Sequence, residues 1–287
     1  MIKTIGLNES EITKLLDSCY KFKPEDLIIS ELKWKTIIYT ILTGGNLLIT
    51  GESGSGKTKT ILSLLNLLDR KLFNIPLGAS QDPISSIIGN THFNSTDGTF
   101  FNKSYFVNSI QEENAIILLD EITRPNKEVW NVLMSVLDEE QRFLRVDDDI
   151  NTPEIKVGNG VCFLATANIG KAYTSTKILD KAFKERFTVI EMDLLNKEQE
   201  TKLQMQLYPE LDFKIINDIC SLACLTREEN DDIEISRKIS TKDVKRFLHK
   251  IKFNFTFVEA FQIEILSKYD NSEEINFLKQ LLDSYNY

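Results

Sequence analysis

At 287 residues, 42% hydrophobic and 27% charged, the chain has room for one large folded domain and a smaller one, with a core that needs no metal or disulfide. Its formal net charge of −9 argues against a protein that coats duplex DNA through a general positive field, though it leaves room for a local basic pore. The opening MIKTIGLNES lacks the apolar core of a signal peptide, and no run approaches the ~20 apolar residues of a membrane span, so a cytoplasmic location away from membranes is expected.

Residues 1–45 carry helical spacing twice, at Ile12, Leu15, Leu16 and Cys19 and again at Ile37, Ile38, Ile41 and Leu42, with Pro24 between and Gly44-Gly45 at the end. A short buried-strand pattern follows at 46–50. The run KTILSLLNLLDR is apolar on a broad helical face and predicts a helix over 57–70. Between them lies GESGSGKT, which fits G-x-x-x-x-G-K-[ST]. Gly51, Gly54 and Gly56 let the backbone turn tightly enough to aim its N–H groups at an anion, and the helix that follows adds its positive dipole end. Lys57 can then reach β- and γ-phosphates, and the Thr58 hydroxyl can ligate Mg²⁺. The bland alternative is a flexible glycine turn, and the strand–loop–helix order decides against it. The expected nucleotide-binding residues are Gly51, Glu52, Ser53, Gly54, Ser55, Gly56, Lys57 and Thr58, with the adjoining Lys59.

A strand is expected at Leu72–Leu77, then a polar stretch from Ala79 to Asn108 with turn signals at Asp82-Pro83 and Asp97-Gly98, the latter suggesting a hairpin. The run AIILLDE, residues 115–121, suits a strand buried on both faces whose carboxyl end opens onto a ligand crevice. Asp120 would hold Mg²⁺ and its waters, and Glu121 would orient or polarise an attacking water. Acids after a buried strand are as often merely solvated; the upstream phosphate loop favours the catalytic pair. Pro125 opens a helix with a stripe at Val129, Val132, Leu133, Val136 and Leu137. Residues 142–158 read as a second hairpin with an acidic tip, no less readily a solvated turn than a binding element.

A strand at Val161–Thr166 places Asn168 just past its end, where an amide could touch a γ-phosphate or the water, though Asn there is usually a turn former. A helix over 176–185, with Ile178, Leu179, Ala182 and Phe183, leads into Arg186 and a strand at Phe187–Met192. From Asn196 the pattern is helical only, at 197–207, 211–225, 240–252, 257–268 and 272–285, the last with Ile275, Leu278, Leu282 and Tyr285 on one face. Ser240 reads as an N-cap with Asp243 in the first turn, and Arg227–Asp232 as a charged loop. The expected organisation is a helical segment (1–30), an α/β core of the P-loop NTPase class with a parallel sheet flanked by helices (31–195), and a small all-α domain (196–287). Cys19, Cys162, Cys220 and Cys224 show no zinc spacing beyond the single turn between the last two, so packing roles are favoured; His92 and His249 stand too far apart to form a site.

Taken together, these motifs give the chain a resemblance to the AAA+ ATPases, and within them to the MoxR-type and dynein-related group, over roughly Leu32 to His249. GESGSGKT resembles Walker A, and Asp120 with Glu121 Walker B. DEITRPNKEVWNVLMSVLDEEQRFLRV resembles the group's stretch from Walker B into the hairpin before sensor 1, and ATANIGKAYTSTKILDKAFKERFTVIEMD its sensor 1 and arginine-finger region. The resemblance places Asn168 at sensor 1 and Arg186 at the arginine finger that reaches a neighbouring subunit's γ-phosphate. It makes Arg124 a subunit-interface candidate and puts Lys242 where sensor 2 usually has Arg, a replacement that keeps the charge and loses the planar fork. Arg237 and Arg246 are fallback candidates for that role. It also implies that 91–108 and 142–158 are inserts. Phe100, Phe101, Tyr105 and Phe106 are pore-lining candidates, against which stands a plain role in hairpin packing.

The implied activity is Mg²⁺-dependent ATP hydrolysis between subunits of a ring, a hexamer, coupled to remodelling of a separate client or adaptor, with a von Willebrand-type protein as one candidate. The absence of Asn-Lys-x-Asp favours adenine over guanine. Competing readings are the motor subunit of a metal chelatase, a DNA-processing or restriction motor, and a nucleotide-gated scaffold. The presence of both Glu121 and Arg186 weighs against the last.

Overall fold

A computed structural model of the chain describes residues 6–78, 83–94, 98–146, 153–168, 179–228, 235–285 and 287. Two helices come first, α1 (Glu9–Ser18) and α2 (Glu31–Thr43), with a 3₁₀ turn at Cys19–Phe22 between them. Asn8 and Glu11 form a capping box on α1, and Gly44, at φ 71°, closes α2 in the left-handed region. Five strands then build one sheet: β1 (Asn46–Gly51), β2 (Leu72–Pro76), β5 (Ile116–Asp120), β8 (Cys162–Asn168) and β9 (Thr188–Met192). Their order is β2-β5-β8-β1-β9 and every pairing is parallel.

The sheet is covered on both faces, and strand alternation decides which residue goes where. Leu47 and Ile49 of β1, Ile116 and Leu118 of β5, and Cys162 and Leu164 of β8 pack with Trp34, Ile37, Ile38 and Ile41 of α2 and with Ile61 and Leu64 of α3 (Lys57–Leu67). Leu48, Ile117, Leu119, Phe163 and Ala165 point the other way, onto Val129, Leu133 and Val136 of α6 (Lys127–Leu137) and onto Phe106 and Ile110 of α5 (Tyr105–Ile110). Each fully buried Leu or Ile contributes about 1.5–3 kcal/mol. A one-residue slip of β1 would exchange its two faces. Cys19, Leu27 and Ile29 join the α2 side, so the N-terminal segment packs onto the sheet.

Between β2 and β5 run α4 (Pro83–Ile88), the hairpin β3 (Gly89–Asn94) with β4 (Gly98–Lys103), and α5. The expected hairpin is present, but the stretch read as merely polar also holds two six-residue helices. Phe106 lies on the second of them and is fully buried, which removes it from any pore; Phe101 packs against the core, and of the pore candidates with described side chains Tyr105 is the exposed one. The Phe100 side chain, Asp97, Asp82, Ile178 and the acidic hairpin tip lie outside the described side chains or residues. The second hairpin is β6 (Phe143–Arg145) with β7 (Glu154–Lys156).

The rest of the α/β part needs small corrections. The helix expected over 57–70 ends at Leu67, because Leu68 turns extended at ψ 138° and drops into the core. The strand expected to stop at Thr166 continues to Asn168. The helix expected over 176–185 is described only as the short α7 (Lys181–Lys184), capped by Asp180.

The all-helical part consists of α8 (Lys197–Leu207), α9 (Phe213–Leu225), α10 (Thr241–Lys252), α11 (Phe257–Glu264) and α12 (Ser272–Ser284), sharing one core that includes Ile219, Cys220, Phe247, Phe261 and Leu278. The single helix expected over 257–268 breaks at Ile265, where φ is −113° and a 3₁₀ turn takes over. Capping boxes start α8, α10 and α11. That of α10 is the most heavily bonded. Asp243, 3% exposed at its side chain, accepts from Arg237 at 2.8 Å, Lys268 at 2.7 Å and the Ser240 hydroxyl at 2.7 Å.

Burial alone would raise the Asp243 pKa, but the bonds from Lys268, Ser240 and Arg237 outweigh it and bring it down from 3.8 to about 2. A depressed carboxylate contributes stability that is present above its unfolded value and lost as pH falls through the folded one. Asp243→Ala is therefore expected to cost about 2 kcal/mol in urea denaturation at pH 7, with the gap to the unaltered protein narrowing between pH 4 and pH 2. An undiminished gap at pH 2 would show that the carboxylate charge is not what matters.

Candidate nucleotide-binding site

The carboxyl ends of β1, β5 and β8 meet in one crevice. In register, Gly51 faces Asn168 on one side and Met192 on the other, and Asp120 lies one strand beyond, hydrogen-bonded to Thr166. Gly51 has φ 147°, and a Cβ there would collide with the Met192 carbonyl oxygen, so only glycine lets β1 run this close to β9 before the loop begins. Gly54, at φ 82°, is pressed equally hard from the other side: a Cβ would stand 2.5 Å from Ser240 Cβ, and 3.7 Å from Lys242 Cβ. The start of α10 thus rests on the loop.

The loop has the attributes of an anion cradle. Helix α3 begins after Gly56 with no side-chain cap, leaving its first-turn N–H groups to another acceptor. The Ser55 hydroxyl is buried without a hydrogen-bond partner. Lys57 Nζ turns back onto the loop, donating to the Gly51 and Glu52 carbonyls at 2.8 Å each. Burial lowers its pKa from 10.5 to about 8, against the opposing pull of Asp120, Glu52 and Glu121. Thr58 is exposed beside it. The flanking side chains are engaged elsewhere: Lys59 pairs with Asp26 of the N-terminal segment, and Glu52 pairs with Lys238 of the helical part at 2.9 Å.

The acid pair is held tightly. Glu121 adopts φ 57°, a left-handed conformation for a residue with a side chain. Its backbone N–H donates to the Thr166 hydroxyl at 2.9 Å, and that hydroxyl donates to Asp120 Oδ1 at 2.5 Å. The Glu121 carboxylate accepts from Arg124 Nε at 2.9 Å. Gly78 is the floor under this pair, since a Cβ there would strike Glu121 Oε2 and come within 2.8 Å of Arg124 Cδ. Neither Thr166 nor Gly78 is marked by sequence. A threonine inside a buried strand reads as a β-former, and only its alignment one strand away from Asp120 distinguishes it.

Arg186 stands apart. Its carbonyl accepts from the Asn46 side chain at the amino end of β1, five residues and about 16 Å from Gly51 at ~3.3 Å per residue. Its guanidinium donates to the Met134 and Ala182 carbonyls at 3.1 and 2.7 Å and lies 3.6 Å from Asp138. Lys242 is exposed beside Gly54, Arg237 is committed to Asp243, and Arg246 is exposed on α10. A cavity of 790 Å³ opens beside Gly51 and Glu52, bounded by the link from Glu191 to Lys197 and by Arg227 and Lys238.

This arrangement agrees with what the chain is similar to. Residues 46–187 match the family described as AAA domain, dynein-related subfamily. The core is a AAA domain of that subfamily. "Putative chaperone BssE" of Thauera aromatica is 28% identical over 159 residues, covering 55% of this chain and 54% of the relative. An uncharacterized protein of Staphylococcus saprophyticus is 26% identical over 155 residues, 53% of this chain and 56% of its own. One from Staphylococcus aureus is 28% identical over the same length and shares. The matches therefore span about half the length of the curated relatives. The AAA core carries the nucleotide-binding, P-loop ATPase architecture of its family, and among the described residues no helix is long and apolar enough to cross a membrane.

The buried ammonium has a consequence for pH. Lys57 is charged below about 8 and loses its proton above it, so affinity for a nucleoside triphosphate is expected to weaken as pH rises from 7 to 9. Titration of a fluorescent ATP analogue at stepped pH measures this. Lys57→Ala should bind at least tenfold more weakly at pH 7 and lose the pH dependence. A wild-type affinity flat across that range would mean the ammonium is not the contact.

Proposed function

We propose that the chain is a Mg²⁺-dependent ATPase of a ring, whose site is completed by a neighbouring copy and whose hydrolysis drives remodelling of a partner protein. One observation carries this reading. Lys57, Asp120, Glu121 and Asn168 converge at one end of the sheet, while Arg186, the remaining cation of the expected set, sits about 16 Å away at the other. At that separation it has no part at its own chain's loop, so in hydrolysis it serves an adjacent copy or has no role beyond its bonds to Met134 and Ala182.

The residues present suit the ligands. The uncapped start of α3, the orphaned Ser55 hydroxyl and the Lys57 ammonium are donors awaiting phosphate oxygens. The Thr58 hydroxyl and the Asp120 carboxylate are hard oxygen donors of the kind Mg²⁺ selects. When bound, the cation neutralises charge on the β- and γ-oxygens. Glu121 accepts a hydrogen bond from an O–H of the attacking water and orients it. Asn168, level with Gly51, donates its amide to the γ-phosphate or that water. Lys242, beside Gly54, adds positive charge from the helical part, and Arg124 keeps Glu121 aligned. Arg186 of a neighbour stabilises the transferring phosphoryl group, an effect worth roughly 10³–10⁵ in rate. Partner remodelling is supported by the chaperone named among the relatives, and the net charge of −9 disfavours a nucleic-acid client.

The test is complementation. Lys57→Ala and Arg186→Ala protomers are each expected to be inactive alone and to regain a measurable fraction of turnover when mixed, because some interfaces then pair an intact loop with an intact arginine. Glu121→Gln should retain ATP without hydrolysing it and sediment as a ring. Mixtures that stay inactive while unaltered protein hydrolyses ATP as a monomer would end the proposal.

A further inference from the structure

Thr166 lies where the two acids meet: its hydroxyl bonds both of them, and its carbonyl holds the residue that follows. The hydroxyl oxygen accepts the Glu121 N–H at 2.9 Å, and the carbonyl accepts the Ile122 N–H at 2.9 Å. Two consecutive amides of one strand end are thus captured by a single residue of the next strand. The direction of the third bond is forced. A backbone N–H can only donate, so the one hydroxyl proton of Thr166 is left for Asp120 Oδ1, at 2.5 Å.

Glu121 needs such a restraint. At φ 57° it occupies a conformation that residues with a Cβ avoid, and that turn sends its carboxylate to Arg124 and over Gly78. Thr166 is 4% exposed, so bulk water cannot substitute for its hydroxyl. Valine has nearly the same shape and cannot make either hydroxyl bond.

We propose that Thr166 is a positioning residue for the hydrolytic reaction: one hydroxyl engages one Asp120 oxygen, leaving the other for a cation, and locks the left-handed turn that aims Glu121. This rests on the nucleotide reading given above.

Thr166→Val and Thr166→Ser are compared with the unaltered protein using a fluorescent ATP analogue, with and without Mg²⁺, and by turnover at saturating ATP. Valine is expected to leave metal-free affinity within about twofold, raise the Mg²⁺ midpoint several-fold and lower turnover at least tenfold; serine should restore both. Valine turning over at the unaltered rate, or serine as slow as valine, would overturn the assignment. Should the valine variant not fold, hydrogen exchange at the Glu121 amide of the unaltered protein decides: protection supports the bond, and exchange at the rate of an unstructured peptide overturns it. If the unaltered protein neither binds nor hydrolyses ATP, the nucleotide reading itself has failed.

Discussion

The missing side chain at position 51 controls how the molecule is put together. β1 is the only strand of the sheet flanked by β8 on one side and β9 on the other, and its last residue must pass under the Met192 carbonyl. With glycine there, the chain leaves the sheet at the level of Asn168 and Met192 and turns at once into α3. Any Cβ would push β9 outward, and β9 leads directly to the helical part. The loop, the sheet edge and the placement of α8 to α12 therefore share one steric condition.

What sequence discloses follows from how local each feature is. The phosphate loop and the acid pair are contiguous strings between strongly apolar runs, so their chemistry can be read without knowing the fold. The two faces of the sheet are legible for the same reason. Helices α4 and α5 are not, because each is six residues long and a hairpin separates them, too short for a helical period to emerge from PISSII or YFVNSI. Phe106 reads with the hairpin aromatics for want of that boundary. Thr166 and Gly78 were invisible for another reason: their roles exist only across strands, Thr166 against Asp120 and Gly78 beneath Glu121.

Electrostatics inside the crevice run in two opposed directions. Burial weakens the charged form of Lys57, while Asp120, Glu52 and Glu121 favour it, and the balance leaves the ammonium charged at neutral pH with a margin of about one unit. Its present partners are two carbonyls of its own loop. Exchanging neutral carbonyls for phosphate oxygens replaces weaker bonds with charge-assisted ones, so the folded-back lysine is poised for an anion without being tied by one.

Two of the links between the helical part and the core differ in strength, and their magnitudes bear on which yields first. Lys238 and Glu52 are each more than one-third exposed at the side chain, and such a pair is worth at most about 1 kcal/mol. Arg227 is different. It is 8% exposed, pairs with the fully buried Glu200 at 3.0 Å, and donates to the Leu195 carbonyl at 2.5 Å and the Ile239 carbonyl at 2.8 Å. That buried pair lies within the helical part, where removing either partner costs about 3–5 kcal/mol; it fixes the guanidinium that clasps Leu195 just after β9, and this joint is less exposed than the contact over the loop. A motion that lifts Ser240 and Lys242 from Gly54 would thus pivot near Leu195. The stiff end lies beside the sheet and the weak end over the phosphate loop, the arrangement needed if occupancy of the loop is to change the angle of the helical part.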